Sequence, residues 1–188
     1  MRKILIIDIE TTGFSKSKDV IVEVGIVSLD LENGDIDIIY DKVVKDDRFN
    51  IDYHVIRDNH GWVFDNSDLC VQEVQEATPL EDEIPIIQDI INEYSNGATA
   101  YNNMFDFGFL EANGIYTPKM LDCPMKLSKD IVCALNKKGD VKNPSMQEAY
   151  DFYFPDNEYV EKHRGADDAV HEAEIVYELY KIGIFNIK

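Results

Sequence analysis

The chain has 188 residues, 45% hydrophobic and 29% charged, with a formal net charge of −19; this fits one water-soluble globular domain with a substantial core. So acidic a balance speaks against the extended basic surface by which most proteins hold nucleic acid. Three cysteines (Cys70, Cys123 and Cys133), odd in number and without a C-x-x-C pair, argue for reduced thiols in a cytoplasm and against a disulfide or zinc framework, and no stretch has the apolar length of a signal peptide or membrane span.

Residues 4–13 read ILIIDIETTG. Ile4 to Ile7 form a continuous β-favouring run, as expected of a strand buried on both faces. Asp8 and Glu10 interrupt it two residues apart, so their carboxylates project from the same face about 7 Å apart. Thr11-Thr12-Gly13 then breaks the strand. Two adjacent acids at the end of a core strand repel each other and resist desolvation, and a divalent cation with a preference for hard oxygen ligands would offset them. The other reading of a lone Asp-x-Glu is two acids standing in water, so the metal hypothesis needs further acids elsewhere.

Residues 19–31 (DVIVEVGIVSLDL) predict a second strand, 32–35 (ENGD) a turn, and 36–44 a third strand completing a hairpin. Glu23, inside the second strand, reads as an edge or hydrogen-bonded acid. Residues 46–76 give mixed signals, expected as loops and short helical turns, with His54, His60 and Trp62 as structural residues. From Leu80 to Tyr94, apolar residues at three- and four-residue spacings predict an amphipathic helix ended by Asn96-Gly97.

A short strand, 98–101, leads into NNMFDFGFLEANG (102–114), whose Phe105, Phe109 and Ala112 share a helical face. Asp106 lies in its first turn, a third acid at the carboxyl end of a strand, where negative charge also suits the helix dipole. A helix is expected over 125–135. Residues 119–142 carry six lysines against three aspartates, which is either a solvated face or the one place where a polyanion is attracted. Ser145 and Glu148 make a capping box for a short helix to Phe154. The last helix is expected from Asp167 to Ile182, with Ala169, Ala173, Val176, Tyr177 and Tyr180 as its buried stripe. His163 lies in the loop before it, five residues ahead of Asp168.

Three segments in order, IIDIETTG, AYNNMFDFGFL and HRGADDAVHEA, resemble the three motifs of the DEDDh 3′→5′ exonucleases, which include proofreading subunits, ribonuclease T and oligoribonuclease. Each motif is weak alone; together they span almost the whole chain. The resemblance implies a ribonuclease H-like α/β fold with a mixed central sheet flanked by helices. It places the four metal-binding acids on Asp8, Glu10, Asp106 and Asp168 and the general base on His163. The cofactors implied are two divalent ions, Mg²⁺ or Mn²⁺, and the partner a single-stranded 3′ end, DNA ahead of RNA, with short RNA as the alternative. Thr11, Thr12, Gly13, Phe14 and Asn102 fall where the family holds substrate, although a loop hydrophobe anchored in the core is an equal reading of Phe14. Lys137 and Lys138, from the lysine-rich segment, are added as substrate contacts. Tyr101 stands where many members have histidine. Asp167 is a neighbouring alternative to Asp168, and His171 reads as a surface or supporting residue.

The chain ends five residues after Gly183, which favours a free-standing enzyme; protein partners implied by the family are a polymerase or a second copy. A different class of protein, a catalytically idle binding or scaffold domain on this fold, has usually lost an acid or the histidine. This chain retains all five.

Overall fold

The computed structural model describes residues 2–56 and 61–187; His60 lies outside them. Three long strands, β1 (Lys3–Thr11), β2 (Ile21–Asp30) and β3 (Ile36–Lys45), form an antiparallel meander. Two short strands join it in parallel: β4 (Thr78–Pro79) on β3 and β5 (Ala98–Thr99) on β1. The sheet order is β4-β3-β2-β1-β5.

Eight helices are described: α1 (Ile51–His54), α2 (Trp62–Asn66), α3 (Val71–Glu76), α4 (Leu80–Glu93), α5 (Asn103–Ala112), α6 (Pro124–Val132), α7 (Met146–Tyr153) and α8 (Gly165–Lys181). Strand periodicity divides β1 between two cores. Leu5, Ile7 and Ile9 pack with α4 and α5, including Ile87, Ile91, Phe109 and Leu110. Ile4 and Ile6 pack on the other face with α7 and α8, including Ala149, Ala173, Val176 and Leu179. Helices therefore cover both faces, which is why the run Ile4–Ile7 is apolar throughout; each fully buried Ile contributes about 1.5–3 kcal/mol. A smaller cluster under α2 and α3 holds Val20, Val22, Val63, Leu69 and Val74.

The expected elements are present with small changes of extent. The capping box opens α7: Glu148 N–H donates to Ser145 Oγ (3.2 Å) and Ser145 N–H to Glu148 Oε2 (2.8 Å). The last helix starts at Gly165 rather than Asp167. The strand expected over 98–101 pairs only at its first two residues, and its chain then turns into α5. Strand β4 was not expected, because two residues show no periodicity. Among the described residues no helix is long and apolar enough to cross a membrane.

Candidate active site at the carboxyl ends of β1 and β5

Strands β1 and β5 run parallel, so their carboxyl ends open on the same side of the sheet, the side on which α/β proteins place ligands. A cavity of about 620 Å³ opens there, lined by Asp8, Glu10, Asp106 and His163 among others. Asp8 and Glu10 continue the face of β1 that carries Ile4 and Ile6, and so point towards α8. Asp106 enters from the first turn of α5. Asp168 is buried in the first turn of α8; it does not line the cavity wall, but oxygens of Glu10 and Asp168 and a ring nitrogen of His163 all lie within 4.8 Å of one another.

Two glycines make that approach possible. Gly25 on β2 is directly opposite Asp8. A Cβ on Gly25 would lie 2.0 Å from the Gly165 carbonyl carbon, and one on Gly165 would lie 2.7 Å from Gly25 N. Only bare backbone lets the start of α8 press against the sheet and deliver Asp168 beside Glu10. Arg164 locks the contact: its Nε donates to both oxygens of buried Glu23, at 3.1 and 3.0 Å. Glu23 is thus the hydrogen-bonded acid its position in the strand suggested.

The neighbouring Asp167 is half-buried and accepts from Lys162 Nζ (2.9 Å). His171, one turn further on, places Nδ1 2.7 Å from the Asp167 carbonyl oxygen and stacks on Tyr159.

The electrostatics are those of an acid cluster deprived of water. Burial, followed by the charges of Glu172, Glu10, Asp106 and Asp168, pushes the Asp8 carboxyl well above its ordinary range. Burial and Asp168 do the same to Glu10. Asp106 rises to about 7 through burial, against hydrogen bonds from its own and the Ile9 backbone N–H. His163 is pushed below its ordinary value by burial, with the Asp168 charge opposing. One Asp8 oxygen is buried without a hydrogen-bond partner. An orphaned carboxylate oxygen among mutually repelling acids fits a divalent cation with oxygen ligands.

The loop after β1 forms one wall of the cavity. Thr12 is buried, its Oγ1 accepting from Val20 N–H (3.1 Å), while Thr11 Oγ1 donates to the Gly13 carbonyl (2.7 Å). Phe14 is 87% exposed and meets Phe105 edge-on at 6.0 Å. It is a free ring at the cavity mouth, so the reading of Phe14 as a core anchor is corrected: the loop is held by Thr12 and by Lys16 Nζ, which donates to the Met104 carbonyl (3.1 Å). Asn102 lines the cavity at the start of α5. Lys137 and Lys138 are exposed on a tight loop between the paired Leu135 and Val141, and do not line the cavity; that segment leads into Pro144–Met146, which do.

Several site residues escaped sequence reasoning. Glu172 is a further buried carboxylate in the lining, accepting from Tyr101 N–H (3.1 Å), and burial, then Asp106, pushes it well above its ordinary value. Glu161 also lines the cavity, pushed up to about 7 by burial and then by Asp168. Trp62, read as structural, lines the cavity as well and meets the His163 ring edge-on at 4.5 Å. His54 does serve the structure: Nδ1 accepts from Asn50 N–H and Nε2–H donates to the Lys18 carbonyl, both at 2.9 Å.

A family model described as Exonuclease (RNase_T) matches residues 5–176. No curated protein matches the sequence. Among solved structures, the nuclease domain of 3′hExo, described as a DEDDh family member bound to rAMP, is similar at a TM-score of 0.72 and 16% identity, covering 100% of this chain and 97% of that one. A 3′-exonuclease described in 3′-end specific recognition of a histone mRNA stem-loop is similar at a TM-score of 0.70 and 13% identity, over 99% of this chain and 85% of that one. Pop2p of S. pombe, in its Mg²⁺- and Mn²⁺-bound form, gives a TM-score of 0.65 and 14% identity over 95% and 82% of the two chains. The mixed sheet flanked by helices is the ribonuclease H-like fold shared with these structures.

Proposed function

This chain belongs to the exonuclease family, and we propose that it is a metal-dependent 3′→5′ exonuclease of the DEDDh type, residues 1–188 acting as one domain that releases nucleoside 5′-monophosphates from the 3′ end of a single strand. The observation that carries the reading is the gathering of Asp8, Glu10, Asp106, Asp168 and His163, from three distant segments, at one end of β1. Asp8, Glu10, Asp106 and Asp168 would hold two divalent ions, Mg²⁺ or Mn²⁺, whose combined charge offsets the four carboxylates. When bound, such ions supply Lewis acidity at the attacked phosphorus and at the departing 3′ oxygen.

His163 takes the proton of the attacking water. With its pKa below the ordinary value it is neutral at pH 7, ready to accept. The cavity, about 620 Å³, is within the about 300–1,000 Å³ usual for small-ligand sites. It therefore takes terminal nucleotides, with Thr11, Thr12, Gly13 and Asn102 along the wall and exposed Phe14 offering a stacking face to any base. Lys137 and Lys138 would meet the strand where it leaves the cavity. Elsewhere the −19 charge repels a polyanion, so affinity comes from the 3′ end rather than from a long tract. DNA is the preferred substrate in this reading; RNA is the second, supported by the similar nuclease domain bound to rAMP. The reducing cytoplasm indicated by the three cysteines is the proposed compartment.

Substitution separates the roles. Asp8→Ala, Asp106→Ala or Asp168→Ala should weaken Mn²⁺ binding and abolish turnover together. His163→Ala should leave Mn²⁺ affinity nearly intact and lower kcat by about 10²–10⁴-fold. Full turnover in His163→Ala would remove the histidine from the mechanism.

A further inference from the structure

The four acids and the histidine leave Tyr159 without a role, yet it touches the site's supporting structure at several points. Its hydroxyl donates to Asp168 Oδ1 at 2.5 Å. Its ring stacks on His171 of α8 at 3.9 Å and 25°, and meets Tyr150 of α7 at 4.6 Å. Its carbonyl accepts from Gln147 Nε2 (2.8 Å), and Gln147 Oε1 accepts in turn from Glu161 N–H (2.9 Å).

Residues 154–164 carry no helix or strand, so the strap bearing Glu161 and His163 has no backbone ladder to hold it. His163 has φ of 54°, in the left-handed region. For a residue with a Cβ this costs on the order of 1–3 kcal/mol and persists only where the surroundings enforce it. Two more strap groups converge on the same carboxylate: Lys162 N–H donates to Asp168 Oδ1 (3.3 Å) and Arg164 N–H to Asp168 Oδ2 (3.1 Å). The strap is thus wound around Asp168, and Tyr159 and Gln147 anchor it to the helices.

We propose that Tyr159 is a positioning residue that couples the orientation of Asp168 to the placement of the His163 strap, through its hydroxyl on Asp168 and its ring on His171. This rests on the reading of Asp168 as a metal ligand and His163 as the base. Groups that orient a ligand from outside the coordination sphere commonly set metal affinity by about 10–100-fold.

The chain supplies its own reporter. Trp62 is the sole tryptophan, and its ring lies 4.5 Å from that of His163, so its fluorescence follows the strap in metal-free protein, whatever the chemistry. Tyr159→Phe removes the hydroxyl and keeps the stacked ring. The expected result is a changed Trp62 emission with readier quenching by acrylamide, a Mn²⁺ dissociation constant raised about 10–100-fold by calorimetry, and a fall in kcat with little change in oligonucleotide KM. Gln147→Ala is the second variant. It frees the strap's other tether but spares the hydroxyl bond, so Trp62 should change while Mn²⁺ affinity stays nearer that of the wild type. Trp62 fluorescence and Mn²⁺ affinity both unchanged in Tyr159→Phe would overturn the proposal. Wild-type protein that binds no Mn²⁺ would defeat the reading of the acids instead, and Trp62 would still decide whether the hydroxyl holds the strap.

Discussion

The contact between Gly25 and Gly165 offers the sharpest test of how the fold builds the site. In Gly25→Ala the new Cβ would lie 2.0 Å from the Gly165 carbonyl carbon and 2.2 Å from Ala166 N, where ordinary contact begins at 3.4 Å. All these neighbours are backbone, so no side chain can swing aside, and the first turn of α8 must withdraw by roughly 1.4 Å. Overpacking of this kind costs about 1–3 kcal/mol, or about 2–12 °C in Tm for a domain of this size. The functional loss should be larger than the stability loss suggests. The displaced turn carries Asp168 away from Glu10, and a misplacement of about 1 Å can cost about 10²-fold in rate. Thermal unfolding and kcat/KM measured on the same preparation, with Mg²⁺ in excess, separate the two effects. Gly183→Ala is the control: its φ of 76° makes alanine strained, but nothing lies within 4 Å of the new Cβ, so stability should fall and activity persist. Gly25→Ala with wild-type kcat/KM would refute the claim that bare backbone at this contact sets the position of Asp168.

Metal-free protein should lose stability as pH rises. Asp106 is held at about 7 against an ordinary 3.8, and Asp8, Glu10 and Glu172 are also raised. The folded state therefore keeps protons that the unfolded chain has released, and stability falls as pH rises from about 4 through about 7. Asp46, Glu83 and Glu148 are held below their ordinary values by their basic and hydrogen-bonding partners, so they stay charged between pH 5.5 and 8 and do not contribute to the slope. Melting in EDTA should give a higher Tm at pH 5.5 than at pH 8, and Mg²⁺ should raise Tm most at pH 8; equal Tm values in EDTA would contradict the buried-acid account. Reversing the charge of both Lys137 and Lys138 should raise oligonucleotide KM and flatten its salt dependence without changing kcat. Unchanged KM and salt slope would return the pair to a solvated loop.

The parts of the molecule legible in the sequence are those whose signal is local. Ile4–Ile7 announces a strand covered on both faces, and the alternation of Asp8 and Glu10 places both acids on one of them. Asp106 and Asp168 were readable because each lies in the first turn of a helix with a clear apolar stripe. Glu172 is readable in principle, since it is four residues after Asp168 and shares its helical face. Trp62, Glu161 and Tyr159 carried no comparable signal. Trp62 is 101 residues from His163 in sequence and reaches it because α2 packs against the sheet through Val63, with Val20 and Val22. The start of α8 at Gly165 was missed for a related reason: it is set by contact with Gly25, on a strand far back in the chain, and not by a local capping residue. Phe14 was undecided because a loop aromatic reads the same whether it faces the core or solvent.

The most direct test is digestion of matched 5′-labelled single-stranded DNA and RNA with Mg²⁺, with EDTA, and with Asp106→Ala in place of the wild type. A 3′→5′ exonuclease whose buried acids hold its metal gives a ladder of labelled products shortening one nucleotide at a time, with nucleoside 5′-monophosphate released, and none with EDTA or Asp106→Ala. A single internal cut, release of the labelled 5′ nucleotide first, or an undiminished ladder in EDTA would contradict the account.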